Sequence, residues 1–267
     1  MRPVLFEIGG KAIHAYGTAL LISFITILIL SAISAKKEGF EPFIVVDGFL
    51  WAFIGAFVGG RLWFVFENFN TFISKPLEIL KWWRGGFSSL GGIAGMLAVF
   101  FIYLRKRNKS FVSFLDLISP YLALGFTIQK VFGCFMAGCC YGKPTSLPWG
   151  VRFTHPFSLV PVRYLSIPLH PVQIYDGLCS FLIFIYLILY RNYYRELKGA
   201  RSVLFFMLFS LGRFLTGFFR ADQKTIFARL TLSQIEFGLI FIITAIYFVK
   251  KYVYDGHNTG KKLQKKS

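Results

Sequence analysis

What most constrains this 267-residue chain is a repeated pattern. About seven apolar runs, each near the ~20 residues needed to cross a bilayer, follow one another along it. They occupy 18–35, 46–66, 86–104, 111–129, 172–190, 202–219 and 230–249. Hydrophobic residues make up 55% of the chain and its mean hydropathy is +0.60. A soluble domain, at roughly 45–50% apolar, is excluded. A segment in hydrocarbon must satisfy its own backbone hydrogen bonds, so runs of this length read as helices. The expected fold is all-α: an integral membrane bundle of about seven transmembrane helices, forming a single transmembrane domain over 1–267. Glu7 and Lys11 precede the first run and no long apolar core lies there, so that run is read as an uncleaved anchor.

The formal charge of +18 raises the question of nucleic acid. The charges lie between apolar runs, which excludes that partner and points to topology on a lipid bilayer. Basic residues gather in alternate short segments: Lys36 and Lys37, then Arg105 to Lys109, then Arg191, Arg195, Lys198 and Arg201, then the tail from Lys250 to Lys266. By the positive-inside rule the N-terminus lies outside and the C-terminus in the cytoplasm. The tail, 250–267, is read as a solvated basic end, with anionic-lipid contact as the alternative. The segment 130–171 holds Gly133-Cys134-Phe135-Met136-Ala137-Gly138-Cys139-Cys140-Tyr141-Gly142, Pro144, Pro148 and Trp149. Irregular backbone at membrane depth survives only when buried in protein or lining a cavity, so this reads as a partly re-entrant, outward-facing cap. Gly85, Gly86, Gly91, Gly92 and Gly95 point to close helix packing or backbone approach to a ligand.

Polar residues inside the runs are the candidate functional groups. Arg213 and Arg220 are seven residues apart and share a helix face about 10 Å apart. A buried arginine faces a cavity or a partner, and with Arg61 these residues call for anions. Few carboxylates are present, and the abundant anion of a membrane is a phospholipid headgroup. An arginine pair holds phosphate through parallel charged hydrogen bonds. The competing reading pairs Arg213 with Asp116, Asp176 or Glu236 and lets Arg220 snorkel to the interface. Tyr16, in His14-Ala15-Tyr16-Gly17, meets a headgroup or is an interface aromatic. His170-Pro171-Val172-Gln173-Ile174-Tyr175-Asp176 opens a span, where it forms either a site or a cap. Cys134, Cys139, Cys140 and Cys179 do not make a disulfide framework, and Cys-x4-Cys-Cys lacks the usual zinc spacing; no metal and no cofactor are expected.

At these residues the sequence resembles the bacterial prolipoprotein diacylglyceryl transferase family. The matching pieces run in order along most of the chain: His14-Ala15-Tyr16-Gly17, Gly59-Gly60-Arg61, Gly85-Gly86-Phe87-Ser88 with Gly91-Gly92, Asp116 with Pro120, Gly133-x-Phe135 through Gly142, His170-Pro171-x-Gln173-x-Tyr175, and Arg213 with Phe218-Phe219-Arg220. The resemblance implies a seven-helix enzyme of the bacterial inner membrane with its site towards the outer side. It implies transfer of the diacylglyceryl group of phosphatidylglycerol to the lipobox cysteine of a preprolipoprotein, with glycerol phosphate leaving. Arg213 and His170 are then the expected catalytic residues, and Tyr16, Arg61, Arg220, Gln173 and Tyr175 the substrate-binding ones. The resemblance also departs from the family pattern. Leu90 stands where the family has histidine; Val131, Cys134, Ala137 and Cys139 replace its arginine, asparagines and glutamate; Gly217 replaces a glutamate. Lys130 adjoins Val131, but one helical step turns a side chain by about 100°, so it is not expected to substitute. Two other readings stay open: a non-catalytic relative that binds phospholipid or lipoprotein precursor, or one acting on another substrate, and a small-solute transporter.

Overall fold

The computed structural model describes residues 1–74, 76–82, 85–227 and 230–254. Its helices are α1 (Ala15–Ala35), α2 (Pro42–Glu67), α3 (Phe69–Ser74), α4 (Ser89–Lys106), α5 (Phe111–Ile128), α6 (Phe135–Ala137), α7 (Val172–Leu189), α8 (Ala200–Gly217) and α9 (Leu232–Phe248). Three antiparallel two-stranded pairs accompany them: β1 (Val4–Ile8) with β2 (Lys11–His14), β3 (Val151–Arg152) with β4 (Pro168–Leu169), and β5 (Thr225–Phe227) with β6 (Leu230–Thr231). Among the described residues, six helices are long and apolar enough to cross a membrane: Ala15–Glu38, Pro42–Glu67, Phe111–Ala137, Val172–Leu189, Ala200–Gly217 and Leu232–Tyr254. The chain is thus a multi-pass, helical membrane protein. The run expected at 86–104 is helical as α4, but it is not among those six. The tail beyond residue 254 lies outside the described residues.

The chain divides into two compact units. In the unit spanning 28–117, α2 starts with proline in its first turn, where a missing N–H costs nothing. Helices α2 and α4 meet glycine to glycine. A Cβ on Gly59 would sit 2.5 Å from the Gly91 carbonyl oxygen, and one on Gly95 would sit 2.3 Å from that of Gly55. Only residues without a side chain permit such an approach. Arg61, buried in α2, closes the connection that follows: Nε donates to the Ile79 carbonyl, NH1 to Gly85 and Gly86, and NH2 to Glu78. Phe100 and Phe114 pack edge to face at 4.6 Å between α4 and α5, and Lys109 donates to the Gly39 carbonyl at 2.9 Å.

The unit formed by 1–27 and 118–254 holds the remaining elements. Helix α5 runs into a π-helical turn, Gln129–Cys134, before the short α6. Helix α9 begins with a capping box in which the Thr231 hydroxyl accepts from the Gln234 N–H and the Gln234 side-chain oxygen accepts from the Thr231 N–H. Ile183, Leu187, Leu204 and Phe205 form one buried cluster of α7 and α8. A second, smaller cluster of Tyr141, Phe153, Val160 and Leu169 lies within the segment expected to be the cap, which therefore has a core of its own.

Candidate functional site

The polar centre of the larger unit is Asp176, on the first turns of α7 and without side-chain exposure. Its carboxylate receives Lys130 Nζ at 3.0 Å, Arg213 NH1, and the Thr216 hydroxyl at 2.6 Å. Three elements thus meet on one anion: the π-helical turn, α7 and α8. Of the two readings for Arg213, the carboxylate pairing is present, and Asp176 is the partner. The guanidinium lies between the Phe126 and Phe237 rings, at 5.8 and 5.4 Å from their centroids. Its Nε and NH2 carry no hydrogen bond among the described residues.

Arg220 lies three residues beyond the end of α8 and is also buried. Asp222 grips it with two parallel hydrogen bonds, Nε at 2.9 Å and NH2 at 2.6 Å, so it does not snorkel free. Burial alone would loosen its proton, but the hydrogen bond and charge of Asp222, with Cys140 behind, outweigh that and raise its pKa. A strand-like rung fixes its place: Lys143 N–H donates to the Phe219 carbonyl, and Ala221 N–H to that of Tyr141. The guanidinium lines an open cavity of about 240 Å³ with Lys143, Tyr164, Gln223, Thr231 and Gln234. Gly217 lies in the same wall. A Cβ there would come 2.6 Å from Gln234 Cγ, so the amide of α9 fills the space in which a residue-217 carboxylate would stand.

His170 precedes α7. Its Nδ1 lies 3.2 Å from the Tyr175 hydroxyl, whose oxygen also accepts from Trp149 Nε1 at 2.8 Å. Phe219 packs on the His170 ring at 5.1 Å, which places this trio beside the Arg220 segment. Gln173, fully buried, donates from Nε2 to the Cys139 carbonyl at 2.7 Å, while its Oε1 has no partner among the described residues. Tyr16, at the start of α1, is 44% exposed. Arg61 and Leu90 belong to the other unit. Four of the five guanidinium N–H groups of Arg61 are engaged with carbonyls, and Leu90 is exposed.

Cys134, Cys139 and Cys140 gather, their sulfurs all within 4.8 Å of one another. Lys130 Nζ donates to Cys140 Sγ at 3.4 Å. Hydrogen bonds from the other two thiols, with Lys130 and Arg220 nearby, lower the Cys140 pKa against the effect of burial.

Regular helical periodicity hid Lys130 from the sequence reading. In the π-helical turn Lys130 points into the protein, to Asp176 and Cys140, while Val131 packs on Gly177. Such turns recur at functional sites. Thr216 and Gln234 were missed as well. Thr216, four residues before Arg220 and three after Arg213, carried the helical-face signal that could have found it.

Comparison with known proteins completes the assignment. The prolipoprotein diacylglyceryl transferase family matches residues 3–250. A phosphatidylglycerol–prolipoprotein diacylglyceryl transferase of Clostridium tetani is 34% identical over 247 residues, covering 92% of this chain and 96% of that one. Proteins of the same name from Solidesulfovibrio magneticus and Acinetobacter baumannii are 32% and 30% identical, covering 87% and 95% of this chain and 88% and 94% of theirs. Transmembrane helices, an arginine within α8 and another just past its end, and a match over nearly the whole length agree, and the chain belongs to the prolipoprotein diacylglyceryl transferase family.

Proposed function

We propose that this protein is a phosphatidylglycerol–prolipoprotein diacylglyceryl transferase of the bacterial inner membrane, with the cap and the N-terminus outside and the basic tail in the cytoplasm. The sulfur of a lipobox cysteine attacks the glyceryl carbon, the bond from that carbon to the phosphate oxygen breaks, and glycerol phosphate leaves with the electron pair. The observation that carries this reading is the pair of arginines, Arg220 buried and Arg213 largely so, each fixed by a carboxylate through part of its guanidinium. Arg213 keeps Nε and NH2, and Arg220, which lines the cavity, keeps NH1, for the phosphate. Fixed donors aimed at a group whose charge grows in the reaction stabilise its transition state. Tyr16 orients the headgroup, and Gln173 and Tyr175 shape the acceptor side. Arg61 holds the Gly85–Gly86 carbonyls of its own unit in place. His170 takes up a proton at Nδ1 through the Tyr175 hydroxyl, which Trp149 orients.

The test supplies the purified protein with labelled phosphatidylglycerol and a lipobox peptide and follows thioether-linked diacylglyceryl peptide. Arg213→Ala and Arg220→Ala are each expected to lower transfer about 10²–10³-fold. Wild-type product no higher than that of Arg213→Ala would sink the reading. Lipid binding that persisted without transfer would instead favour a relative that only binds.

A further inference from the structure

The three gathered cysteines stand outside the roles given above. We infer that Cys134, Cys139 and Cys140 form a site for one thiophilic metal ion, Zn²⁺ by its preference for thiolates, whose fourth position receives the acceptor thiol; this last part rests on the transfer reading proposed above. Cys-x4-Cys-Cys lacks the usual zinc spacing, and the adjacent side chains of Cys139 and Cys140 would ordinarily diverge. The backbone removes that objection. Cys140 has φ +58°, a left-handed conformation uncommon for a residue with a side chain, and Gly138, two residues earlier, has φ +80°. This turn swings both sulfurs to the side where Cys134 waits on the π-helical turn. The fully buried Gln173 pins the turn by its hydrogen bond to the Cys139 carbonyl.

The sulfur separations fit this chemistry. Zn–S bonds near 2.3 Å put tetrahedral sulfurs about 3.8 Å apart. The observed triangle, with all sulfurs within 4.8 Å, needs to close by at most about 1 Å. A disulfide would use two sulfurs and leave the third over, whereas a metal uses all three. Charge agrees as well. A divalent ion with three thiolates carries one negative charge. The Lys130–Asp176–Arg213 group carries one positive charge in excess, and Lys130 Nζ already donates to Cys140 Sγ. Metal ligands are oriented by such outer hydrogen bonds.

Three protein thiolates leave one tetrahedral position open, the arrangement of catalytic rather than structural zinc. An acceptor thiol bound there gives its proton to the His170 acceptor proposed above and stays a thiolate at neutral pH. Its sulfur pair forms the bond to the glyceryl carbon as the carbon–oxygen bond to phosphate breaks. The electron pair departs with glycerol phosphate, and the neutral thioether leaves the metal.

The experiment uses the full chain in detergent, reduced and stripped of metal, then given Zn²⁺ or Co²⁺ alone. One equivalent should bind. Cobalt should give thiolate charge-transfer bands with tetrahedral d–d bands, and zinc should shield three of the four cysteines from alkylation. Cys134→Ser, Cys139→Ser and Cys140→Ser should each weaken binding at least about tenfold, and Cys179→Ser should not. If a serine variant fails to fold, the wild-type alkylation count decides alone. Four reactive thiols in the presence of zinc, or two sulfurs found joined to each other in the purified protein, would overturn the metal site. A lipobox peptide with cysteine should alter the cobalt spectrum, and its serine counterpart should not. A spectrum indifferent to the cysteine peptide would overturn the open-position role while the metal site stands. Metal bound normally without any transfer would count against the transferase reading and not against the site.

Discussion

At the scale of single residues, Asp176 is the group on which the most depends. Two cations and a hydroxyl converge on a carboxylate with no side-chain exposure. Removing its charge leaves Lys130 and Arg213 buried without a counter-ion, and breaking a buried pair from one side costs about 3–5 kcal/mol. Asp176→Asn should therefore lower the unfolding temperature in detergent sharply, and adding Arg213→Met should recover part of the loss. Unfolding of the single variant at the wild-type temperature would remove Asp176 from this place. Half of this arrangement was legible beforehand. An arginine inside an apolar run demands an anion, and Asp176 was one of three carboxylates named for Arg213. The Lys130 contact was not legible, because a regular helix predicts the wrong face for a residue inside a π-helical turn. Nor was the replacement at Gly217 readable from its own position, since the Gln234 side chain that fills the space comes from another helix.

At the scale of elements, the apolar runs translated into helices because length and hydropathy leave a lipid-embedded chain no other regular structure. The predicted glycine contact is realised between α2 and α4. Gly59→Val should destabilise the protein by about 1–3 kcal/mol, because its first neighbours would be the Gly91 carbonyl and Gly95 Cα, backbone that cannot turn aside. Gly17→Ala, with nothing within 4 Å of the added methyl, is the control and should be neutral. Thermal unfolding of the two variants side by side checks the claim; equal behaviour would mean that the helices do not need this approach. The short strand pairs were not foreseen. Two residues of pairing, as in β3 and β4, leave too little alternation to read.

At the scale of the whole molecule, the basic segments orient the chain in our proposal. A fluorescent protein fused to the C-terminus should mature in the cytoplasm, and an impermeant thiol reagent added from outside should miss a cysteine placed at Lys109. Labelling there from intact cells would invert the topology. One further consequence belongs to the rung joining residues 141–143 to residues 219–221. It ties the segment after α6 to the end of α8 through main-chain atoms, which no side-chain replacement deletes. On the proposed function, whatever lifts this segment pulls on Arg220 in the same stroke, so admitting a peptide and loosening the grip on a departing phosphate become one mechanical event.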